Sequence, residues 1–576
     1  MKVFLFSAFF FSWLLTSAFA GSATWRLDPI SNDWNTASNW TPATVPNMPA
    51  DTASFGVTQT PHIALPTDFG LNGMVFNPGA SVYTISLTGY PLTISGTGIV
   101  NNSGVKQNIR ADVASTGDFG VIYFTDDATS GESMNYIVKG GPLDDFIGGQ
   151  IWFFDHSSAG SGIFTTSGGL RTGASGSYIY FLDESTATHA TFICNGGAVG
   201  AAPGGIFFSN SSSLAESKVV VNGTTTLGGV YGSFFCATIV PLVDVTVTTN
   251  GGPGTESIFG GGASYLDGPS AQGCTFTSNG GSTTNGSGGY TQFSNTFDTG
   301  DSVLIANGGT NGGDGGQLYL LDSSVVGGSV KLFGNGALVI SGHDAPGAPV
   351  GSIEGDGVVS MGALNLTVGS NSLSTTFSGT LEGDAGSSLT KVGTGTLALS
   401  GPNTYTGGTT IEEGTFLVKT KNASATGIGP VQVNAGTLGG RGEMSGAVTI
   451  GSGTGTGAFL APGVNGAAGL TTQSSLTFNA DGIYSCEVDT NKAKADKITA
   501  KGVTINSGAL FSFVALGNQT LAQGTVFTVI NNTSRNPITN TFANLSDGST
   551  FTVGSNTFQA NYEGGNGNDL TLTVVP

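Results

Sequence analysis

The chain has 576 residues, which is enough for several ordinary domains or for one long repetitive body. Gly supplies 95 residues and charged side chains only 9%, while 36 Phe and 13 Tyr argue against a disordered chain, so short strands joined by tight turns are expected. The formal net charge of −20 argues against nucleic acid and anionic membrane surfaces as partners, because phosphates attract basic patches.

Residues 1–20 have the pattern of a secretory signal peptide. Lys2 gives a positive start, an almost wholly apolar run follows from Val3 to Leu15, and Ala18-Phe19-Ala20 offers small residues for cleavage. The run is shorter than the roughly 20 apolar residues of a spanning helix, which makes a retained membrane anchor the weaker alternative. No later apolar run reaches that length, so we expect no transmembrane segment after signal cleavage.

Residues 21–115 are predicted to form an N-terminal cap and the first strands. This segment is rich in tryptophan, with Trp25, Trp34 and Trp40 close together. Large apolar side chains would close the open end of a stacked repeat, which terminal units must do. Stacking of the same indoles on sugars is the alternative.

Residues 116–345 carry an internal repeat with a period of about 28 residues. A column of Asn, or a substitute for it, followed by Gly recurs at steps of 28, 28, 27, 28, 29, 28 and 28. Its members are Lys139, Ser167, Asn195, Asn222, Asn250, Asn279, Asn307 and Asn335. Asn-Gly is expected to turn the chain, because both residues tolerate positive φ. A unit of this size cannot bury its apolar face alone, whereas stacked units can.

Two apolar columns keep the same step and predict strands with one buried face. The first comprises Phe124, Phe153, Phe181, Phe208, Phe235, Tyr265, Phe293 and Leu320. The second comprises Tyr136, Phe164, Phe192, Val219, Val247, Phe276, Leu304 and Leu332. We predict an all-β fold, a right-handed parallel β-helix of about 28-residue coils that is capped at both ends. The aromatic rings would then stack inside the tube, so Phe208→Asp is expected to break cooperative unfolding.

Residues 346–470 are predicted to continue the β-helix. They contain the stretch "SLTKVGTGTLALSGPNTYTGGTTIEEGTFLV", in which two strands flank a Pro- and Gly-rich turn. The stretch resembles the autotransporter-associated beta-strand repeat, with a pattern of roughly LxKxGxGxLxLSGxNTYTGxTxIxxGxL. The matching positions are Lys391, Gly393, Gly395, Leu397, Leu399, Ser400, Gly401, Asn403, Thr404, Tyr405, Thr406, Gly407, Thr409, Ile411 and Gly414. The resemblance implies a right-handed β-helical passenger of an exported bacterial surface protein.

Residues 471–576 depart from that family. Autotransporters end in a membrane β-barrel, for which these residues are too few, and the chain ends "NDLTLTVVP" without a terminal aromatic residue. We interpret the segment as C-terminal β-structure that caps the solenoid. The resemblance is therefore to a passenger-type protein without a recognisable C-terminal barrel.

An Asp/Asn column, two residues after the first apolar column, is the strongest candidate for chemistry. Its members are Asp126, Asp155, Asp183, Asn210, Ala237, Asp267, Asn295 and Asp322. The carboxylates of Asp155, Asp183, Asp267 and Asp322 could bind calcium or a sugar along one edge. The favoured interpretation is a strand-end turn, in which the short side chain bonds its own backbone.

Other motifs lack the spacing that chemistry requires. The stretch "GGNGNDLTL" at 564–572 is similar to one calcium-binding nonapeptide, which needs tandem copies, and "GGDGG" at 312–316 lacks the Lys-Ser/Thr of a phosphate loop. No metal-binding spacing relates His62, His156, His189 and His343. No CxxC pair occurs among Cys194, Cys236, Cys274 and Cys486, and the first two are expected to be free, partly buried thiols.

We therefore assign no catalytic, cofactor-binding or metal-binding residue and expect no cofactor. The expected protein is a structural or adhesive β-helix without catalytic activity, secreted or at the bacterial cell surface, with an extracellular polysaccharide or surface matrix as its candidate partner. One alternative is a polysaccharide lyase or glycoside hydrolase that uses Asp126-Asp127 or Asp144-Asp145 with Lys139. The other is a calcium-stabilised surface-layer or matrix protein.

Overall fold

The computed structural model describes residues 21–224, 229–253, 261–420, 423–455, 457–464 and 466–576. The predicted signal peptide at 1–20 lies outside the described residues. The described residues form a long solenoid of short parallel strands, and the helix they contain is one 3-10 turn, Ala37–Asn39. The predicted all-β solenoid of the β-helix type is confirmed, and its right-handed winding stays a prediction.

One face of the solenoid, here face 1, is a sheet of 16 strands. Each coil adds one strand in parallel to the last, except for an antiparallel pair at the start. The strands are Trp40–Thr41, Ala23–Trp25, Thr52–Phe55, Phe69–Phe76, Pro91–Asn101, Val121–Phe124, Gln150–Phe153, Tyr178–Phe181, Gly205–Asn210, Ser233–Thr238, Ala263–Leu266, Tyr290–Phe293, Gln317–Leu320, Ala337–Val339, Val358–Ser360 and Thr380–Glu382.

A second parallel ladder, here face 2, accompanies face 1 and continues beyond it. Its strands are His62–Leu65, Thr84–Thr88, Gln107–Asp112, Met134–Val138, Ile163–Thr166, Thr191–Cys194, Lys218–Val221, Thr246–Thr249, Thr275–Ser278, Val303–Ala306, Val326–Leu332, Gly347–Gly355, Asn365–Val368, Ser388–Lys391, Gly408–Ile411, Val431–Val433, Val448–Ile450, Leu476–Phe478 and Val503–Ile505. At Gly347–Gly355 a branch begins, because Gly355 also pairs with Phe377. Its strands are Thr375–Phe377, Thr396–Leu399, Thr415–Val418, Gly436–Gly440, Ala458–Pro462, Gly482–Asp489 and Leu510–Leu516, with Lys494–Ala495 antiparallel to the sixth.

Smaller sheets complete the coils. A four-stranded parallel ladder comprises Thr186–Thr188, Ser213–Ala215, Leu242–Val243 and Ala271–Gln272, and an antiparallel pair joins Gly197–Val199 to Gly229–Val230. The C-terminal sheet comprises Glu443–Met444, Gly469–Thr472, Lys497–Ala500, Val526–Asn532, Asp569–Val575, Asn556–Gly564 and Thr550–Val553. Its last strands form antiparallel hairpins, which end the parallel stacking.

The inner Phe column stacks as the repeat predicts. Ring centroids lie 4.8 Å apart between Phe124 and Phe153, and 4.4 Å apart for both Phe153–Phe181 and Phe181–Phe208. Their strands alternate buried and half-exposed residues, and these four rings occupy the buried positions. The geometric basis of the sequence-derived fold is therefore confirmed for these coils.

The predicted membership of the inner column is wrong in two coils. Phe208 pairs with Cys236 rather than with Phe235, and Cys236 pairs with Leu266 rather than with Tyr265. The coil that begins at Phe208 is thus one position longer than the column assumed. Because successive strand residues point to opposite faces, this slip places Phe235 and Tyr265 on the outer surface.

The second apolar column is buried and mostly in the predicted register. Tyr136 stacks on Phe164 at 4.6 Å and Phe164 on Phe192 at 5.3 Å. At its end, Leu304 pairs with Val330, whereas the expected Leu332 lies two residues further along the strand. The coil is shorter there than the uniform period assumes.

The Asn column forms an amide ladder along face 2. Each side chain donates from Nδ2 to Oδ1 of the Asn in the preceding coil, at 2.8–2.9 Å, for Asn222, Asn250, Asn279 and Asn307. The expectation of positive φ is wrong for these asparagines. The following Gly is required by space instead, since a Cβ at Gly251 would lie 2.5 Å from the carbonyl oxygen of Gly280 in the next coil.

Coil length varies along the solenoid, which the uniform period did not predict. Asn279 and Asn307, bonded across neighbouring coils, are separated by 28 positions in the chain. Leu381, whose backbone N–H donates to Asn403 Oδ1 across neighbouring coils, is separated from Asn403 by only 22 positions.

The three tryptophans pack against one another at the N-terminal end. Trp40 meets Trp25 at 5.0 Å and Trp34 at 4.8 Å, both edge-on, and each ring is at most 1% exposed. The indole N–H groups donate to the backbone carbonyls of Thr60, Pro46 and Trp34. Burial on this scale leaves no indole face for a sugar and favours the capping interpretation.

Candidate functional site

The Asp/Asn column lies at the corner where the chain leaves face 1. Positive φ values of 52–58° occur at Asp126, Asp155, Asp183, Asn210, Asn295 and Asp322. Asp155 Oδ2 accepts the N–H of Asp126 at 3.1 Å, and Asp322 Oδ2 accepts the N–H of Asn295 at 2.9 Å. These side chains therefore join neighbouring coils, rather than bonding their own backbone as expected. Within the described ranges, no three His, Cys, Asp or Glu side chains converge as metal ligands would.

Two histidines lie beside surface carboxylates of neighbouring coils. His156 Nε2 is 3.2 Å from Glu184 Oε2, and its Nδ1 is 3.9 Å from Asp127 Oδ1. His189 Nε2 is 2.9 Å from Glu216 Oε2. All five side chains are more than half exposed, so each pair contributes little to stability, about 0–1 kcal/mol.

The two acid pairs and the lysine proposed for glycan cleavage lie in different parts of the coil. Asp126-Asp127 follows a strand of face 1, Lys139 follows a strand of face 2, and Asp144-Asp145 lies in the loop between the two faces. Asp144 borders a shallow cavity of about 750 Å³ together with Arg171, and no second carboxylate lines it.

The remaining candidates are held in structural contacts. All four cysteines are free and buried, which is more burial than expected, and burial raises the pKa of Cys194 to about 12. Asp569, in the single calcium-type nonapeptide, accepts the N–H of Asn532 at 2.8 Å. His343 Nε2 lies 2.8 Å from the carbonyl oxygen of Ser324, and His62 opens a strand of face 2.

The polar residues of the autotransporter-type repeat bind the backbone of adjacent coils. Lys391 is only 1% exposed as a residue, and its ammonium donates to the carbonyl oxygens of Val392 and Gly393 at 2.7 Å and of Glu413 at 3.2 Å. Burial lowers the pKa of Lys391, although the nearby Glu413 carboxylate opposes the change.

Asn403 and Tyr405 act in the same way. Asn403 accepts the N–H of Leu381 at 2.8 Å and donates to the carbonyl of Ala425 at 2.6 Å, thereby bonding the coil before and the coil after its own. The Tyr405 ring is fully buried, with its hydroxyl 2.6 Å from Thr409 Oγ1, and burial raises the pKa of that hydroxyl. The motif therefore specifies how one coil is joined to its neighbours.

An aromatic column on the outer side of face 1 was missed by the sequence analysis. We call it the outer ladder: Trp152, Tyr180, Phe207, Phe235 and Tyr265, one residue from each successive coil. Successive ring centroids lie 4.0, 5.2, 5.0 and 4.6 Å apart, with planes within 22°. The sequence signal for this column was an aromatic residue at the third position of each strand, such as the Trp of "QIWF" and the second Tyr of "YIYF". The sequence analysis considered only the alternate, buried positions.

The outer ladder is interrupted beside a cavity. Tyr265 pairs with Gln292, and Gln292 pairs with Tyr319, so one coil has an amide where its neighbours have rings. A cavity of about 400 Å³ opens here between Tyr290, Gln292, Gln317, Tyr319 and the loop residue Asp314. Its volume lies in the range of small-molecule sites, about 300–1,000 Å³. This cavity is the candidate functional site.

The fold and the bonds between coils define a parallel β-helical solenoid. Within it, residues 389–418 match the family model of the passenger-associated-transport-repeat, which confirms the resemblance found in the sequence. The repeat suggests an autotransporter passenger domain and a secreted or surface location in bacteria. No curated protein matches the chain. Across the described part of the chain, no helix has the length and apolar character needed to cross a membrane.

Proposed function

We propose that this protein is an exported β-helix, displayed on or released from a bacterial surface, with a structural or adhesive role and no catalytic activity. The passenger-type repeat at 389–418 supports export. The observation that carries the proposal is the use of polar groups: Lys391, Asn403 and the Asn ladder all bind neighbouring coils. Such bonds make a rigid rod, which suits presentation of a surface rather than turnover of a substrate.

Localisation tests the exported part of the proposal. Antibody against the protein should label intact cells or detect the protein in the culture medium, and deletion of residues 1–20 should retain the protein inside the cell. Protease added to intact cells should remove the cell-bound fraction. Retention of the wild-type protein in the cytoplasm would contradict export.

Adhesion and catalysis are tested on the purified protein. It should bind cells or films of extracellular polymer and should release no reducing ends from neutral or acidic glycans. Release of reducing ends that Asp145→Asn abolishes would favour the lyase or hydrolase instead. Melting with and without a calcium chelator should coincide, whereas a lower Tm in chelator would favour the calcium-stabilised alternative.

A further inference from the structure

We propose that the cavity at the interruption of the outer ladder binds a pyranose unit of a neutral polysaccharide. This inference rests on the adhesive function proposed above and names the ligand class and its site. It follows from three properties of face 1: where ring faces are free, which hydrogen-bonding groups surround them, and which charges are absent.

Within the outer ladder, the rings cover one another. Phe207 stacks on Tyr180 and on Phe235, so both of its faces are occupied and its edge meets solvent. A sugar packs against aromatic residues through the flat C–H surface of its ring, which requires a free aromatic face. The interior rings of the ladder therefore stabilise the coils and offer no stacking platform.

The interruption at Gln292 changes this arrangement. Tyr265 and Tyr319 lie two strands apart. Because neighbouring strands are usually about 4.8 Å apart, this corresponds to a distance of about 9.6 Å. The Tyr290 ring lies beside the gap, 5.7 Å from Tyr265 and 6.0 Å from Tyr319, with its plane at 87° to both. Among the described residues, no ring stacks in parallel on Tyr319. The Tyr290 ring therefore stands edge-on in the gap between Tyr265 and Tyr319. The cavity is bordered by Tyr319 and not by Tyr265, so Tyr319 is the ladder ring that the cavity reaches.

The groups around the gap match sugar hydroxyls. Gln317 Oε1 accepts the hydroxyl of Tyr319, and Gln292 Nε2 donates to Ser294 Oγ at 2.8 Å. In the described part of the chain, this leaves Gln317 Nε2, Gln292 Oε1 and the Asp314 carboxylate without a protein hydrogen-bond partner. One amide N–H₂ donor, one amide acceptor and one carboxylate suit hydroxyls, each of which donates and accepts.

Charge favours a neutral glycan over an acidic one. The eight strands of face 1 from Val121–Phe124 to Gln317–Leu320 contain no Asp, Glu, Lys, Arg or His. The ionised side chain at the cavity is Asp314, which would repel a uronate, and the whole protein carries a formal net charge of −20. An anionic polymer would therefore meet repulsion without a compensating cation.

Affinity electrophoresis of the purified protein tests the proposal. Gels containing hydroxyethyl cellulose, galactomannan or polygalacturonate should show retardation by at least one neutral polymer and none by polygalacturonate. Tyr319→Ala and Gln317→Ala should weaken retardation at least tenfold. Tyr90→Ala, which removes a tyrosine that is 44% exposed outside this site, should leave retardation unchanged.

Gln292→Tyr is the decisive variant because it restores the missing rung. It should abolish retardation while the Tm stays the same or rises, so loss of binding cannot be attributed to unfolding. The proposal is overturned if no neutral polymer retards the protein, if polygalacturonate does so, or if Tyr319→Ala and Gln292→Tyr bind like the wild type. Adhesion that survives in Gln292→Tyr would leave the adhesive function standing without this site, whereas a wild type that does not adhere would refute that function.

Discussion

Lys391 shows how a single residue of the passenger-type repeat acts. A buried ammonium is costly unless its donors are satisfied, and Lys391 satisfies them with three carbonyl oxygens, two from its own turn and one from the next coil. The same turn contains Gly393, which has φ +68° and whose added Cβ would lie 2.1 Å from the carbonyl oxygen of Gly369. Charge and backbone shape therefore fix the same coil-to-coil contact.

Replacement of Lys391 by Met is expected to loosen this turn. The loss of hydrogen bonds from a charged donor should cost about 2–3 kcal/mol. Hydrogen exchange should become faster at the amides of residues 388–418 and stay unchanged in distant coils. The control is Lys419→Met, because Lys419 is exposed and lies on the adjacent coil. Equal protection in both variants would show that the Lys391 contacts contribute nothing.

Asp496 gives the C-terminal sheet an unusual pH dependence. Its carboxyl group is fully buried and accepts the N–H groups of Ala468 at 2.8 Å and Glu487 at 2.9 Å. Burial raises its pKa from 3.8 to about 7, although these two hydrogen bonds oppose the change. The folded state thus holds this proton more tightly than the unfolded chain does.

We expect Asp496 to destabilise the protein as the pH rises from about 4 to about 7. A raised folded-state pKa contributes stability below the unfolded pKa, and this contribution is lost as the pH passes the folded value. Chemical denaturation of wild type and Asp496→Asn between pH 4.5 and 7.5, about this window, should show a smaller pH dependence in the variant. If the free energy of unfolding depended equally on pH in both proteins, the raised pKa could not belong to Asp496.

Asp481→Asn is the control for this pH experiment. Partial burial would raise the pKa of Asp481, but hydrogen bonds from Gly453 and Ser452 outweigh it and lower the pKa below its ordinary value. A lowered folded-state pKa contributes stability above the unfolded pKa, and that stability is lost only as the pH falls below about 4. The pH dependence of this variant between pH 4.5 and 7.5, about the same window, should therefore match that of the wild type.

At the scale of the strand, each segment of face 1 carries two aromatic columns with different roles. In Tyr178–Phe181, Phe181 stacks inside the tube, and Tyr180 stacks outside it. The inner ring fills volume that no neighbour can take over, whereas the outer ring is half exposed. Two adjacent residues therefore allow a direct comparison.

Phe181→Ala should destabilise the surrounding coils far more than Tyr180→Ala. A buried Phe→Ala change leaves a cavity and typically costs about 3–5 kcal/mol, whereas loss of an aromatic pair beyond its area costs about 0.5–1.5 kcal/mol. Thermal unfolding and hydrogen exchange of the two variants would measure the difference. Similar losses in both would mean that the outer ladder is as important to the fold as the inner column.

Over the whole molecule, stability is the sum of coils and of the contacts between them. The end of such a stack has a neighbour on one side alone, so the first coil depends on the tryptophan cluster. Trp34 is fully buried, donates to the carbonyl of Pro46 at 3.1 Å and meets Trp40, Phe55 and Phe69.

Trp34→Ala should therefore fray the solenoid from its N-terminal end. Removal of a buried indole typically costs about 3–5 kcal/mol. Hydrogen exchange should become faster in residues 21–88 and remain slow beyond residue 300, because neighbouring coils are coupled and distant coils are not. Uniform loss of protection along the chain would show instead that the solenoid unfolds as one unit.

Much of this architecture could be predicted from the residues alone. Alternation and the regular step located the inner rings Phe153, Phe181 and Phe208, and the motif around Lys391 identified the repeat that the family model matches. The candidate cavity could not be predicted in this way. It depends on Gln292 lying opposite Tyr265 and Tyr319, and the sequence register had placed Tyr265 inside the tube.

The sequence by itself determined that the chain coils, which residue types fill the tube, and where a passenger-type repeat lies. The tertiary structure alone decided the register between coils, the length of each coil and the exposure of the outer ladder. The physical reason is that strand alternation fixes a residue's side only relative to its own strand. One extra residue in a connecting loop, as between Phe208 and Cys236, reverses which side faces the core, and only the paired coils reveal it.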